Sequence, residues 1–250
     1  MATLWKKQIN DDTYEIRSAG ASIRLYTNDV FHSQWNPNRP VSGNIWDMLV
    51  LPALYLAPAT IKRVLVLGVG GGAVIQLVKT LFNATCIIGI ELNPVHLDIA
   101  RRYFGVKPSQ SLELIQGDAI QWLRSYTGEP FDLIIEDLYG EKGGEPERAI
   151  DLDTPWFSTL VKHLSKNGIL VVNTINPRQL KACAFFSNPK INHHFQSAIR
   201  FSLPSFENAV GAFYKNHVSK KDRDRNIMML ADKKLIQALN ASSFKQVKLK

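Results

Sequence analysis

Four short stretches carry residue types that could do chemistry. The run RVLVL leads into Gly68-Val69-Gly70-Gly71-Gly72-Ala73, which matches G-x-G-x-x-G/A and lets bare backbone approach a ligand closely. Twenty-three residues beyond Gly68, Glu91 ends the next apolar run, CIIGIE, where a carboxylate can accept both hydroxyl hydrogens of a ribose. The runs LELIQGD and FDLIIED also finish in acids, at Asp118 and at Glu136-Asp137. Successive strand ends would then present carboxylates on one edge, and in an open parallel sheet that edge is the ligand crevice.

Each acid has an expected task. Glu91, with Leu92 after it, takes the ribose; Asp118 and Ala119 sit at the exocyclic amine of an adenine; Asp137 lies near the reacting end. The cofactor-binding set is completed by Gly68, Gly70, Gly71 and Gly72. A nicotinamide enzyme does not require acids at the third and fourth strands. An adenosyl sulfonium ligand uses them, because a nucleoside edge and a cationic sulfur both favour acceptors over phosphate-binding donors. Asp118, standing before Ala119 and Ile120, also has the position of a helix N-cap. His193-His194 has no third ligand nearby and reads as a surface or turn feature, so no metal site is expected.

Short continuous apolar runs alternating with amphipathic stretches must position these residues. RVLVLG, CIIGIE, LELIQGD, FDLIIED and GILVVN read as parallel strands buried on both faces. Helices are expected over 72–83, 94–104, 119–126 and 154–164, giving an α/β, doubly wound, mostly parallel Rossmann-like sheet. Residues 1–43 form an N-terminal β unit: TYEIRSAGASIRLY is a hairpin and FHSQWNPNRPVSG a connecting loop. Residues 44–250 form the Rossmann-like domain, opening with a helix over 44–56 and ending in a basic segment. Beyond Pro177, SAIRFSLPSF, AVGAFY and NIMMLAD are candidate strands, and a helix is expected over 233–240.

Composition sets the outer bounds. With 250 residues, 45% apolar and 21% charged, the chain is a folded domain plus a small appendage. Two distant cysteines, Cys86 and Cys183, exclude a disulfide framework and point to a reducing, cytoplasmic setting. No signal peptide or membrane span is expected. The formal charge of +8 is concentrated: residues 213–250 hold ten basic and three acidic side chains. Nucleic-acid binding therefore has a basis only in that segment, and KKDRDR, mixed in sign and without aromatics, reads as a solvated loop. The Gly- and Glu-rich EKGGEPER, 141–148, reads as a lid or a plain loop after the fourth strand.

The order G-x-G-G-G, Glu91, Gly117-Asp118, Asp137 and a late Leu203-Pro204-Ser205-Phe206, behind an N-terminal β unit, resembles spermidine synthase and its relatives. These are polyamine aminopropyltransferases on the class I S-adenosylmethionine methyltransferase fold. The resemblance implies Asp137 as catalytic base and an adenosyl ligand: S-adenosylmethionine, its decarboxylated form or methylthioadenosine. It places His32 near a ligand-contacting glutamine of the family, and Trp46, Asp47, Tyr139 and Phe206 around the acceptor pocket. A small-molecule acceptor is the implied partner, with a homodimer as a further option.

The departures bear on the reaction. The family's G-G-G-D-G acid, which faces the aminopropyl ammonium, falls on Gly71, and its D-S-x-D becomes Asp137-Leu138-Tyr139-Gly140. Its Tyr-x-Glu-Met and Pro-Thr-Tyr are matched only by Trp46-Asp47-Met48-Leu49 and Pro204-Ser205-Phe206. Cationic substrates need carboxylate partners, so these losses favour methyl transfer to an unidentified small acceptor. The rival expectations are a true aminopropyltransferase, with Asp47, Glu136, Glu141 or Glu145 as replacement acids, an RNA methyltransferase, and a non-catalytic adenosyl binder.

Overall fold

The computed structural model describes residues 1–142, 145–242 and 244–250. The chain opens with a four-stranded antiparallel meander, β1 (Ala2–Ile9), β2 (Asp12–Ala19), β3 (Ser22–Thr27) and β4 (Val30–Trp35). Then come α1 (Ile45–Val50), 3-10 turns at Leu51–Tyr55 and Pro58–Thr60, β5 (Arg63–Leu67), α2 (Ala73–Leu81), β6 (Cys86–Glu91), α3 (Pro94–Arg102), β7 (Leu112–Gln116), α4 (Ala119–Ser125) and β8 (Phe131–Glu136). A hairpin of β9 (Tyr139–Lys142) and β10 (Glu145–Arg148) precedes α5 (Thr154–Lys162) and β11 (Leu164–Thr174). Three short helices, α6 (Pro177–Lys181), α7 (Ala184–Ser187) and α8 (Pro189–His193), lead to β12 (Ser197–Ser202), β13 (Ala209–Tyr214), α9 (Lys220–Met228), α10 (Lys233–Ala241) and β14 (Lys245–Lys248).

The large sheet has the order β14-β12-β13-β11-β8-β5-β6-β7, parallel from β11 to β7 and antiparallel at the other end. It is the doubly wound α/β sheet that alternating strands and helices predict. Period-2 alternation divides its core: Val64 and Val66 pack with α2, α3 and the N-terminal sheet, while Leu65 and Leu67 pack with α4 and α5. The chain passes from β5 to β6 on one side, and β8 joins β5 on the other. That reversal is the switch point, where the strand ends diverge into a crevice. Among the described residues no helix is long and apolar enough to cross a membrane.

Several expectations need correction. The N-terminal unit is more than a hairpin, because β1 and β4 flank it; β1 is largely exposed and β4 lies in a polar segment, so neither carries a buried alternation. Residues 226–228 of the supposed strand NIMMLAD are helical, and KKDRDR is the body of α9. A capping box between Ser219 and Asp222 starts that helix, and buried Asn226 donates to the Leu54 carbonyl at 2.9 Å. The basic tail ends as an edge strand on β12, where Tyr55 donates its hydroxyl to Gln246 Oε1 at 2.6 Å. The helix expected over 44–56 tightens to 3-10 at Leu51, since Pro52 has no N–H to continue an α-helix.

Asp47 is not in the acceptor pocket. It is the third residue of α1, 2% exposed, and its Oδ2 accepts from the backbone N–H of Ser42 (2.9 Å), Gly43 (2.6 Å) and Asn44 (3.3 Å) while Asn44 caps the helix in return. Burial pushes its carboxyl up to about 6, against the pull of those three donors. Asp47→Ala should therefore cost about 1–2 kcal/mol in urea unfolding at neutral pH, because it removes the acceptor of the buried Asn44 amide and of the partly buried Ser42 and Gly43 amides. A folded variant with unchanged stability would return Asp47 to the list of free acids.

Candidate active site

The crevice begins with a contact that only glycine permits. Gly68 has φ +88°, and a Cβ there would lie 2.2 Å from the carbonyl oxygen of Asp137. Ladder-like bonds carry the strands to this point: Gly68 N–H donates to Ile90 O, and Asp137 N–H to Leu67 O, each at 2.9 Å. The ends of β5, β6 and β8 are thereby drawn together at the switch point.

Glu91 holds the glycine loop. Its Oε2 accepts from the N–H of Val69 (2.9 Å) and Gly70 (2.8 Å), and its Oε1 from the N–H of Asn93 (2.9 Å). A carboxylate offers about four acceptor sites, so room remains for one ribose hydroxyl where the sequence suggested two. The same bonds turn the loop's amides toward a negative charge, and a phosphate placed there would meet it. His96 Nδ1 lies 3.8 Å from Glu91 Oε1. That ring is no counter-cation: burial pushes it down to about 4, and its Nε2 pairs with Thr27 Oγ1 at 2.9 Å.

Between these strand ends and the N-terminal sheet lies a cleft of about 800 Å³. Its walls carry four carboxylates, Asp12, Glu91, Asp118 and Asp137, and among the described residues no Lys or Arg. Gly68, Gly70, Leu92 and Ala119 line it on the sheet side. His32, Trp46, Tyr139 and Phe206 line it as well, so those sequence-predicted residues do converge. Asp118 lines the cleft while serving as N-cap of α4, its Oδ1 accepting from the N–H of Ile120 (2.8 Å) and Gln121 (3.2 Å).

Gly71 and Gly72 lie outside the cleft wall. A Cβ at Gly71 would come within 2.7 Å of Ser33 Cβ and 2.8 Å of Phe104 Cζ, so the loop's far side packs on β4 and on the turn after α3. An acid at this position would require both neighbours to move, and its absence says more about packing than about the charge of a ligand. Gly140 does line the cleft, with open space around it. The side chains of Glu141 and Glu145 fall outside the described residues, as do Gly143 and Gly144 of EKGGEPER, the segment expected to be a lid or a plain loop.

Asp137 reaches the cleft beside Asn173, at the end of β11, whose Nδ2 donates to its Oδ1 at 2.8 Å; Asn208 Nδ2 in turn donates to Asn173 Oδ1 at 3.2 Å. Burial pushes the Asp137 carboxyl up to about 6, the Asn173 bond and Arg148 pull it back, and Glu136 and Glu91 push it further. Half of such a group is ionised near pH 6, which suits a proton acceptor working at neutral pH. The sequence reading missed Asn173, although GILVVN ends at it just as the other runs end at their acids. It also missed Asp12, Asn93 and His96, whose place depends on how the N-terminal sheet docks against α3.

An open, mostly parallel α/β sheet with an acid-lined crevice at its switch point defines a doubly wound α/β protein. The family is more particular. The chain belongs to the spermine/spermidine synthase domain family, whose model matches residues 47–224. A polyamine aminopropyltransferase of Vibrio vulnificus is 29% identical over 174 residues, covering 68% of this chain and 50% of that protein. The chain spans about half the length of the curated polyamine aminopropyltransferases it matches. A spermidine synthase solved with the transition-state analogue AdoDATO superposes with a TM-score of 0.69 at 16% identity, covering 96% of this chain and 83% of that one. Human methyltransferase-like protein 13, solved with SAH, gives a TM-score of 0.59 at 16% identity, covering 79% of this chain and 90% of that one. At such identities the two structural likenesses concern the fold.

Glu91→Ala should lower the stability of the unliganded protein by roughly 1–3 kcal/mol, because it leaves the buried Val69 amide and its neighbours without an acceptor. Thermal unfolding with no ligand present measures this. A melting temperature equal to wild type would show that Glu91 does not anchor the loop.

Proposed function

We propose that this chain is an adenosyl-sulfonium-dependent transferase that moves an aminopropyl group onto an amine, as the names of its curated relatives suggest. One observation carries the reading: the cleft walls bear four carboxylates and, among the described residues, no Lys or Arg. A diphosphate or a carboxylate-rich substrate would find no cationic partner there, whereas a sulfonium and an ammonium would find acceptors. The expectation of methyl transfer leaned on the missing acids at Gly71 and Gly140. Family membership supports aminopropyl transfer better, and the crowding at Gly71 removes half of the contrary argument.

When bound, an adenosyl sulfonium supplies an electrophilic carbon next to its sulfur. Glu91 and the glycine loop hold the nucleoside end, with Asp118 and Ala119 at the far side of the crevice. Asp137, kept in place by Asn173, accepts the proton that the amine must lose as its nitrogen bonds to that carbon and the electron pair of the broken carbon–sulfur bond passes to sulfur. Tyr139, Trp46 and Phe206 exclude water and bring nitrogen, carbon and sulfur into line. A polyamine or diamine is the acceptor this wall composition favours. The two unpaired cysteines support a cytoplasmic setting.

The test is a product assay by mass spectrometry with decarboxylated S-adenosylmethionine and a panel of diamines, run beside S-adenosylmethionine. The aminopropylated amine and methylthioadenosine should form together, with kcat/KM rising through about pH 6 and then levelling as Asp137 becomes the free carboxylate. Asp137→Asn should lower turnover by about 10²–10⁴-fold with donor affinity nearly unchanged. Methylated amine from S-adenosylmethionine, with the decarboxylated donor inert, would restore the methyltransferase reading.

A further inference from the structure

We infer that Arg148 and Glu136 form a buried positioning pair that locks the β9–β10 hairpin onto the sheet and, through Asn173, sets the carboxylate of Asp137. The inference rests on the reading of Asp137 as the proton acceptor.

Glu136 and Asp137 are consecutive, so they leave the end of β8 on opposite sides. Asp137 enters the cleft; Glu136 is fully buried behind it. Arg148, the last residue of β10, lies across from Tyr139 in the hairpin register, and its side chain is 2% exposed. Its guanidinium engages three segments at once. Nη2 donates to Glu136 Oε1, which also accepts from Trp156 Nε1 at 3.1 Å. Nη1 donates to the backbone carbonyl of Asn173, and Nε to the carbonyl of Ile150 at 3.2 Å. The guanidinium carbon stands 5.6 Å from the centre of the Tyr139 ring.

The route to the reacting group is therefore two bonds long. Arg148 fixes the backbone of Asn173, and the Asn173 side chain donates to Asp137 Oδ1. The hairpin whose end Arg148 holds supplies Tyr139, Gly140 and Pro146 to the cleft wall. A role in stability alone accounts poorly for the pair. Burying two charges costs about as much as their attraction returns, so an apolar pair would hold the hairpin equally well. Glu136 Oε2 moreover has no hydrogen-bond partner among the described residues. What an apolar pair cannot do is donate to the Asn173 carbonyl.

The charged and titratable groups acting on Asp137 are Glu136 and Glu91, which oppose its ionisation, Arg148, which favours it, and the phenol of Tyr139. Glu136 and Arg148 act in opposite senses, so removing both leaves the loosened Asn173 bond as the main residue of the change. Removing Arg148 alone would strand a buried carboxylate and endanger the fold. The variant of choice is thus E136Q/R148M, in which the glutamine still accepts from Trp156.

Two readouts on the full chain decide the matter. Carbon-13 NMR of the Asp137 carboxyl should show its titration midpoint raised by about one pH unit, with the Asn173 side-chain amide resonance displaced. Turnover in the diamine assay should fall about 10–100-fold while donor KM stays within about threefold. R148K, which keeps the charge but lacks the fork that spans Glu136 and the Asn173 carbonyl, should lie between wild type and the double variant, and it serves as the test if the double variant does not fold. A wild-type midpoint and a wild-type Asn173 resonance in a folded variant would overturn the inference. If wild type transfers no aminopropyl group, the functional reading fails, and the NMR titration still judges the positioning pair by itself.

Discussion

The architecture turns on the absence of one carbon atom. With no Cβ at residue 68, the end of β5 can pass against the carbonyl of Asp137, where a side-chain carbon would sit 2.2 Å from that oxygen. Because the two strand ends touch, Glu91 on one neighbour of β5 and Asp137 on the other face a common space. The loop that follows Gly68 is then held by Glu91 instead of waiting for a ligand to order it. Any residue but glycine would push β8 outward and draw Asp137 away from Glu91 and the glycine loop.

Electrostatics gives this space its selectivity. Four carboxylates line it, the histidine nearest Glu91 is kept neutral by burial, and among the described residues the cleft wall itself carries no Lys or Arg; Arg148 acts on Asp137 from behind the wall. Holding an ionised Asp137 there is costly for the folded protein alone: burial, and after it Glu136 and Glu91, raise its carboxyl. A group whose folded pKa lies above its unfolded value is favoured in the protonated form, so the cost appears as pH rises through the ordinary carboxylate range and is fully present above about 6. A bound cation would offset that cost, and this differential is the physical basis of the proposed preference for sulfonium and ammonium ligands.

Much of this was legible in the sequence where local pattern and function coincide. The five apolar runs became β5, β6, β7, β8 and β11, and Glu91, Asp118 and Asp137 at the ends of three of them reached one crevice while Glu136 turned inward, because strand burial and strand-end position are both local properties. What escaped depends on contacts between distant segments. Asp12 joins the cleft only through docking of the N-terminal sheet; the Arg148–Glu136 pair joins residues twelve apart across a hairpin that reads as a loop. Asp47 misled for the opposite reason, since an acid aligned with a substrate motif proved to be satisfied by three backbone amides of its own turn. Gly71 shows the same limit: a missing acid reads as a statement about charge, but the space its side chain would need is taken by Ser33 and Phe104.

The claim that the cleft is built for positive charge is tested most directly by calorimetric affinities of decarboxylated S-adenosylmethionine and of methylthioadenosine, its neutral thioether counterpart, from about pH 5 to pH 8. The sulfonium should bind at least about tenfold more tightly at the upper end, and its advantage should shrink as Asp137 takes up a proton near pH 6. Equal affinities across the whole range, or tighter binding of NAD than of either, would contradict the account.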